Sequence, residues 1–147
     1  MSGCGSSSHP PAAQTVQGPG FTFSAPAGWQ LSHGAGRASA THGAELVQVV
    51  TFKLVRPYSD KLFAAVEKEL TARMRAIVQQ TDGKLVSATT VSPAGIRSHS
   101  YRVEVGDHVD EYIFVLRGSR EYQLLCRRSS SSSTDFCGQL VKTFAVS

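Results

Sequence analysis

The chain has no long apolar stretch and little charge, and both absences limit what it can be. No run in its 147 residues approaches the ~20 consecutive apolar residues that a membrane-spanning helix needs. Only 18% of the residues are charged, the formal net charge is +4, and no run of Lys or Arg is longer than Arg127-Arg128. Such a modest, dispersed positive charge argues against nucleic acid as the main partner. With 41% hydrophobic residues, the composition fits one ordinary domain with its own core.

The motifs of catalysis and of bound cofactors are missing as well. The chain contains no Gly-x-Ser-x-Gly elbow, no phosphate-binding glycine loop, no Cys-x-x-Cys pair and no His-Glu-x-x-His motif. Serine is abundant, but His9 lies in a polar tail, and His33 and His42 lie in turns near glycine. A Ser-His-acid triad would therefore rest on composition alone. We expect no catalytic residue, no cofactor, no dedicated metal site and hence no enzyme activity.

Cysteine is scarce, and the first of the three cysteines stands in an informative context. Ser2-Gly3-Cys4, followed by a Ser/Gly stretch, is similar to the processing site of a bacterial lipoprotein, where small residues precede the cysteine that carries the lipid. The basic and apolar regions of a signal peptide would have to lie upstream of Met1. We expect Cys4 to be lipidated and to tether the protein to the extracytoplasmic face of a cell membrane. The alternative is a chance cysteine in a flexible tail, which a true start at Met1 would favour.

The other two cysteines, Cys126 and Cys137, are expected to form a disulfide. An odd cysteine in a secreted protein tends to react or to pair between chains, and lipidation of Cys4 would leave an even number. The bridge would close a short loop that contains five consecutive serines, Ser129 to Ser133, with no apolar group to anchor it. On the chain-entropy estimate, closing such a loop contributes about 2 to 3 kcal/mol to stability. Two buried thiols in a cytosolic protein are the alternative.

Hydrophobic periodicity predicts an α+β domain behind a flexible linker. Residues 1–19 are rich in Ser, Pro, Ala and Gly, so we predict a lipoprotein-type tail there and a single domain over residues 20–147. Alternating apolar residues predict strands, the first two joined in a hairpin, and three- to four-residue spacing predicts helices. The predicted strands are 21–24, 29–32, 37–41, 45–56, 84–92, 96–105, 109–117 and 120–127, and the predicted helices are 62–80 and 136–144. The order ββββ-α-ββββ-α indicates an antiparallel β-sheet with two main helices packed on it.

Both ends of the predicted domain resemble a known superfamily. Phe21 to Trp29 spell F-T-F-S-A-P-A-G-W, which is similar to the opening F-x-F-x-x-P-x-G-W hairpin of the PsbP/Mog1-like superfamily. The closing helix, with its Thr143-Phe144 pair, is similar to the last helix of those domains. The resemblance covers about residues 20–146 and rests on residues that shape a turn and its packing, so it implies a fold and no particular function. The paired cysteines look most like those of actinobacterial LpqN-type lipoproteins.

Two groups of residues are candidate binding sites on the predicted strands. His99, Tyr101 and Tyr112 could line a ligand pocket between the sheet and a helix. Asp107 to Glu111 gathers acidic residues and one histidine, but this segment spans a hairpin tip, and alternation sends neighbouring strand residues to opposite faces. A dedicated calcium or zinc site gathers more ligands at defined spacing, so we expect no functional metal site there.

Arginines gather on the last predicted hairpin and at its exit, and they form a possible basic surface. They are Arg117, Arg120, Arg127 and Arg128. Such a surface could face anionic lipid headgroups or an acidic partner. The alternative is that charges on an edge strand prevent sheets from pairing edge to edge.

These observations favour a non-catalytic binding or scaffold module tethered to the bacterial cell surface. Its expected partners are the membrane, through the lipid on Cys4, and a protein of the cell envelope. One alternative is a small-ligand-binding protein or hydrolase with a pocket between sheet and helix. Another is a cytosolic protein-binding adaptor, which reduced cysteines would favour.

Overall fold

The structure is a computed structural model that describes residues 13–132 and 134–147. Its strands are β1 (Ala13–Gly18), β2 (Phe21–Pro26), β3 (Gln30–Gly34), β4 (Arg37–His42), β5 (Glu45–Tyr58), β6 (Lys84–Val91), β7 (Ser98–Val105), β8 (His108–Ser129) and β9 (Ala145–Val146). Its helices are α1 (Phe63–Thr81) and α2 (Phe136–Thr143), with 3₁₀ turns at Asp60–Leu62 and Pro93–Gly95. The predicted α+β class, with antiparallel strands and two main helices, is confirmed.

The strands form two antiparallel sheets. The smaller sheet has the order β1-β2-β9, and the larger has the order β3-β4-β5-β8-β7-β6. Neighbouring strands in both sheets run antiparallel. The outer strands of the larger sheet are therefore β3 and β6, while β5 and β8 lie in its middle.

β8 folds back on itself and contributes two adjacent arms to the larger sheet. A straight strand of its 22 residues would be about 70 Å long, yet the Ser130 N–H donates to the Asp107 carbonyl at 2.9 Å. Gly118, with a φ of +57°, takes the first position of the turn Gly118-Ser119, where the reversed backbone favours glycine. The first arm pairs with β7 and the second with β5. This hairpin agrees with the predicted one, but it lies inside the sheet, so interpreting its arginines as edge protection is wrong.

Alternation along the strands gives the larger sheet two buried faces. On one face α1 packs through Leu70 and Met74. On the other face lie the smaller sheet and α2, which contribute Phe21, Phe23 and Phe136 among others. The α1 side is completed by Tyr101, Val103, Tyr112 and Phe114, and the opposite side by Val47, Val49, Ile113, Val115, Leu124 and Leu140. Consecutive residues of β8 thus enter different cores, which explains why its first arm is apolar throughout.

Two details of the strand pairing differ from the prediction. Residues 13–18, predicted as linker, form β1, which pairs with β2 from Ala13 opposite Pro26 to Gly18 opposite Phe21. Val16 is fully buried, but one apolar residue among polar neighbours gives too weak a period to predict a strand. The predicted hairpin of 21–24 with 29–32 is wrong, because β2 pairs with β1 and β9 while β3 pairs with β4. The predicted boundary at residue 20 therefore cuts off a strand of the folded domain.

The helices end and begin at defined polar contacts. At the end of α1, Asp82 adopts a left-handed conformation with a φ of +54°, and the Gly83 N–H donates to the Val78 carbonyl at 3.0 Å. At the start of α2, the Asp135 carboxylate accepts the Gly138 N–H at 3.0 Å, which caps the first turn. No helix in the described part of the chain is long and apolar enough to cross a membrane.

Candidate functional site

A polar cleft lies at the side of the larger sheet, next to the two paired cysteines. We call it the disulfide cleft, and its cavity volume is about 450 Å³. Its lining residues are Thr89, Val91, Ser100, Arg102, Glu111, Ile113, Arg128, Ser132, Thr134, Asp135, Cys137, Gly138 and Val141. Alternate residues of β6, β7 and β8 form the floor, because side chains two positions apart point to the same face. The start of α2 forms a wall, and the cleft extends to the outer strand β6.

A disulfide fixes the wall of this cleft to its floor. Cys126 in β8 and Cys137 in α2 are bonded, with their Cα atoms 5.5 Å apart, as the sequence predicts. Both cysteines are buried. The Glu111 carboxylate lies within 4.8 Å of both sulfurs, but a disulfide offers no thiolate to a metal ion. This trio therefore shapes the cleft and leaves a single carboxylate as a potential ligand.

The charged groups of the disulfide cleft differ in how they are paired. Across the floor, Arg102 donates from Nη2 and Nε to Glu111 Oε1, at 2.7 and 3.2 Å. Asp135 is engaged as the cap of α2. Arg128 makes no ion pair with any other described residue of the chain. The cleft therefore combines a fixed ion pair with hydroxyl groups, which both donate and accept hydrogen bonds, and one available cation.

The residues predicted to line a ligand pocket lie on the other face of the sheet, under α1. Their side chains are mostly buried: His99 is 6% exposed, Tyr101 3% and Tyr112 7%. The His99 ring stacks on Phe63 with centroids 3.9 Å apart, and its Nε2 lies 2.9 Å from the Phe63 carbonyl oxygen. A hollow of about 130 Å³ touches His99 and Tyr101, while Tyr112 lies outside its lining. These contacts place His99 in the packing between β7 and α1.

Tyr112 is held in its neutral form by its surroundings. Burial raises the pKa of its phenol above 10.0, and nearby Asp110 raises it further, while Arg127 acts in the opposite direction. Its ring belongs to the core under α1. The phenol is thus a protonated, packed group and not a poised acid.

The four arginines of the possible basic surface lie at two different ends of the β8 hairpin. Arg117 and Arg120 flank its turn and are exposed, whereas Arg127 and Arg128 lie near its open end. Arg127 donates from Nε and Nη2 to the two oxygens of buried Asp110, at 2.8 and 3.1 Å. This hydrogen bonding raises the pKa of Arg127, against the opposing effect of burial. The structure therefore does not bring the four arginines together in one surface.

The acidic cluster at the start of β8 is also divided. Asp110 turns toward the α1 face and binds Arg127, and Glu111 turns into the disulfide cleft and binds Arg102. His108 Nε2 lies 3.7 Å from Asp110 Oδ1, and Asp107 is fully exposed. The two well-placed carboxylates thus already have arginine partners.

Sequence reasoning missed most residues of the disulfide cleft. Ser100, Arg102 and Glu111 occupy inward positions of β7 and β8, in line with core residues. Alternation along these strands predicts that the three positions face the core. Polar residues at such positions could have indicated a cleft on that face. Ser132 and Thr134 carry no such signal, because they lie in the loop before α2.

Comparison with known proteins identifies the fold. No family model and no curated protein matches the chain. Among solved structures, cyanobacterial PsbP (CyanoP) from Synechocystis has a TM-score of 0.64 and 15% identity, covering 100% of this chain and 99% of that one. A protein from Bacteroides thetaiotaomicron has a TM-score of 0.55 and 11% identity, and the match covers 86% of this chain but only 45% of the other. The chain has a PsbP-like fold, and identities this low carry no further information on function.

Proposed function

We propose that the chain is a non-catalytic binding module of the cell envelope, in which an extended segment of a protein partner adds to the free edge of β6. The observation that carries this proposal is the pair of hollows on the two sides of that strand. Thr89 and Val91 line the disulfide cleft on one face, and Ala88 and Thr90, together with Thr89, line the hollow beside His99 on the other. An added strand would find a recess for its side chains on either face, as strand-addition sites require.

The β6 edge also lacks the protection that sheet edges usually carry. β6 is the last strand of the larger sheet, and Ser87 to Val91 contain neither a charged residue nor a proline. The register shift between Leu85 and Ser87 interrupts pairing only at the start of the strand. Among the described residues, the regular part of β6 pairs only with β7, so its other side presents backbone groups to which another strand can bind.

The chemistry of the disulfide cleft supports binding and not catalysis. The hydroxyls of Ser100, Ser132 and Thr134 and the cation of Arg128 suit polar side chains of a partner. The disulfide preorganises the wall, which lowers the entropic cost of binding. His99, the histidine best placed in the sheet, is already engaged by Phe63.

We further propose that the module is tethered outside the cytoplasm as an LpqN-type lipoprotein, with the lipid on Cys4. Cys4 lies outside the residues that the structure describes. The lipoprotein-like motif around it supports the tether. The disulfide between Cys126 and Cys137 supports an oxidising compartment, because such bonds are rare in the cytosol of most organisms.

Site-specific photo-crosslinking in native cells tests the β6 edge. A photoreactive residue at Thr89 or at Thr90 should give the same discrete adduct, because the two positions flank one added strand. The photoreactive residue placed at Ala72, on the exposed side of α1, should give no adduct. Thr89→Lys adds the kind of charge that protects natural edges and should abolish the adduct formed at Thr90, while Ala72→Lys should leave it. Adducts that are equal at Ala72 and Thr90, or absent at both β6 positions, would contradict the proposal.

A further inference from the structure

A second surface lies at the turn end of β8. We call it the tip, and it consists of residues 52–58 of β5, Lys61, Leu62 and residues 117–120. Between Lys53, which pairs with Arg120, and Tyr58, which pairs with Gly118, four residues of β5 stand opposite Ser119 alone. The surplus residues form a bulged loop that leaves the plane of the sheet.

The tip concentrates exposed apolar side chains. Val55 is 100% exposed, Phe52 45% and Leu62 42%. These are three of the five large hydrophobic side chains that the described residues expose, and they lie within eleven positions of one another. A hollow of about 470 Å³ separates the loop from α1, so the loop is not packed down onto the core. Apolar groups concentrated at a protruding end indicate a contact surface.

Cations lie in and beside this apolar loop, in an arrangement that destabilises the sheet. Lys53 stands directly opposite Arg120, and Arg120 faces Arg117 across the two-residue turn. Like charges opposite each other destabilise a sheet, so three in a row point to a use other than folding. Arg56 lies in the bulged loop, and Lys61 lies in the 3₁₀ turn that follows β5.

The carboxylates near the tip leave most of this positive charge uncompensated. Glu69 lines the hollow behind the loop together with Arg56, and it makes no ion pair within the described residues. Two other carboxylates have partners outside the tip. Glu121 binds Arg73 at 2.7 Å, and Asp60 binds Arg97 at 2.9 Å. None of the five tip cations makes an ion pair within the described residues; they are Lys53, Arg56, Lys61, Arg117 and Arg120. The tip is therefore a local concentration of positive charge around protruding apolar side chains.

We propose that the tip docks onto an anionic lipid bilayer, with Val55 entering the interface and the surrounding cations contacting headgroups. A bilayer offers negative charge and an apolar layer in one surface, which matches both halves of the tip. Val55 protrudes, so it needs a deformable surface that closes around it. A nucleic acid would engage the cations but would leave Val55, Phe52 and Leu62 without apolar partners.

Vesicle co-sedimentation tests this proposal on the full chain carrying Cys4→Ser, so that no lipid anchor contributes. The vesicles contain phosphatidylcholine, alone or with about a third phosphatidylglycerol. We expect binding to the anionic vesicles only, weakening as salt is raised, because exposed charges are screened. Each cation near an anionic surface strengthens binding about fivefold, so Arg117→Glu/Arg120→Glu should weaken it at least twenty-five-fold. Val55→Asp should weaken it by about tenfold or more.

A matched charge reversal elsewhere distinguishes binding through the tip from a general attraction between a cationic protein and anionic vesicles. Lys84→Glu/Arg75→Glu changes the net charge equally, at the opposite end of the sheet and on the exposed side of α1, and should leave binding within about threefold. All five substituted residues are exposed or partly exposed, and thermal unfolding of each variant establishes that it is folded. Absence of binding to anionic vesicles, equal losses for the two double variants, or no effect of Val55→Asp would each overturn the proposal. Thr89→Lys, which blocks the β6 edge, should bind anionic vesicles as tightly as the Cys4→Ser parent. The result at the tip is then independent of the proposal for the β6 edge.

Discussion

At the scale of single residues, the membrane contact proposed for the tip conflicts with the stability of the sheet. The like charges of Lys53, Arg120 and Arg117 stand in one row. Directly opposed like charges cost a sheet a fraction of a kcal/mol, up to about 1 kcal/mol for each pair. Arg127, in contrast, has the buried carboxylate of Asp110 as its partner. Arg127 thus has an internal partner, whereas Lys53, Arg117 and Arg120 make no ion pair within the described residues and are available to an external partner.

This conflict predicts that a substitution at the tip stabilises the protein. Arg117→Glu converts a like-charge pair with Arg120 into an opposite-charge pair, so the free energy of unfolding should rise by about 0.5 kcal/mol. Urea unfolding at low salt measures it. Lys84→Glu is the matched control, because Lys84 stands opposite Glu104 and the same change creates a like-charge pair there. A decrease in the free energy of unfolding for Arg117→Glu would contradict the prediction, because it would mean that Arg120 does not repel Arg117 in the folded protein.

The buried phenol of Tyr112 predicts a loss of stability in alkali. Its pKa in the folded protein is raised above 10.0, chiefly by burial, so the folded state keeps the proton that the unfolded chain loses first. The contribution of the protonated phenol to the free energy of unfolding is complete below pH 10. It is lost as the pH rises through the pKa of Tyr112 in the folded protein. Unfolding of the Cys4→Ser chain in urea from pH 9 upward measures the decline. Tyr112→Phe should make it shallower, and an unchanged slope would contradict this assignment.

At the scale of elements, the sequence predicts the kinds of segment better than their partners. The β8 hairpin follows from two apolar runs around Gly118-Ser119, and both helices follow from their spacing. The pairing of β2 with β1 and β9 does not, because β9 lies more than a hundred residues away and no local pattern records it. The disulfide cleft was missed for the same reason: its lining comes from four separate segments that meet only in the fold.

The unpredicted strand β1 has a measurable consequence. If residues 13–18 belong to the folded domain, Val16→Ala removes two buried methyl groups and should lower the free energy of unfolding by about 2 kcal/mol. Val86→Ala, on the exposed edge of β6, is the control and should change it by less than about 0.5 kcal/mol. Denaturant unfolding compares the two. A Val16 variant as stable as the parent would mean that this segment is a linker after all.

At the scale of the whole molecule, the proposed surfaces occupy separate places. The β6 edge lies at the side of the larger sheet, and the tip lies at the turn end of β8. The described chain begins at the opposite end from the tip, where the Gln14 side chain donates to the Trp29 carbonyl at 2.8 Å and the Trp29 ring stacks on His42. A partner on β6 and a bilayer at the tip can therefore be engaged without competing for the same residues.

The proposed tether sets a condition on how the tip meets the same membrane. Nine residue steps separate Cys4 from Ala13, and an extended chain of that length reaches about 30 Å. Glu45 to Lys53, the regular part of β5, spans about 26 Å, and the tip lies beyond it. The lipid and the tip can thus contact one bilayer when the sheet lies along its surface.

Intact-mass spectrometry of the protein isolated from its native membrane would establish whether the chain is a lipid-anchored module outside the cytoplasm. We expect a polypeptide that begins at Cys4, carries a diacylglycerol on the cysteine sulfur, and has no free thiol because Cys126 and Cys137 are bonded. A polypeptide that begins at Met1 and has three titratable thiols would contradict this expectation.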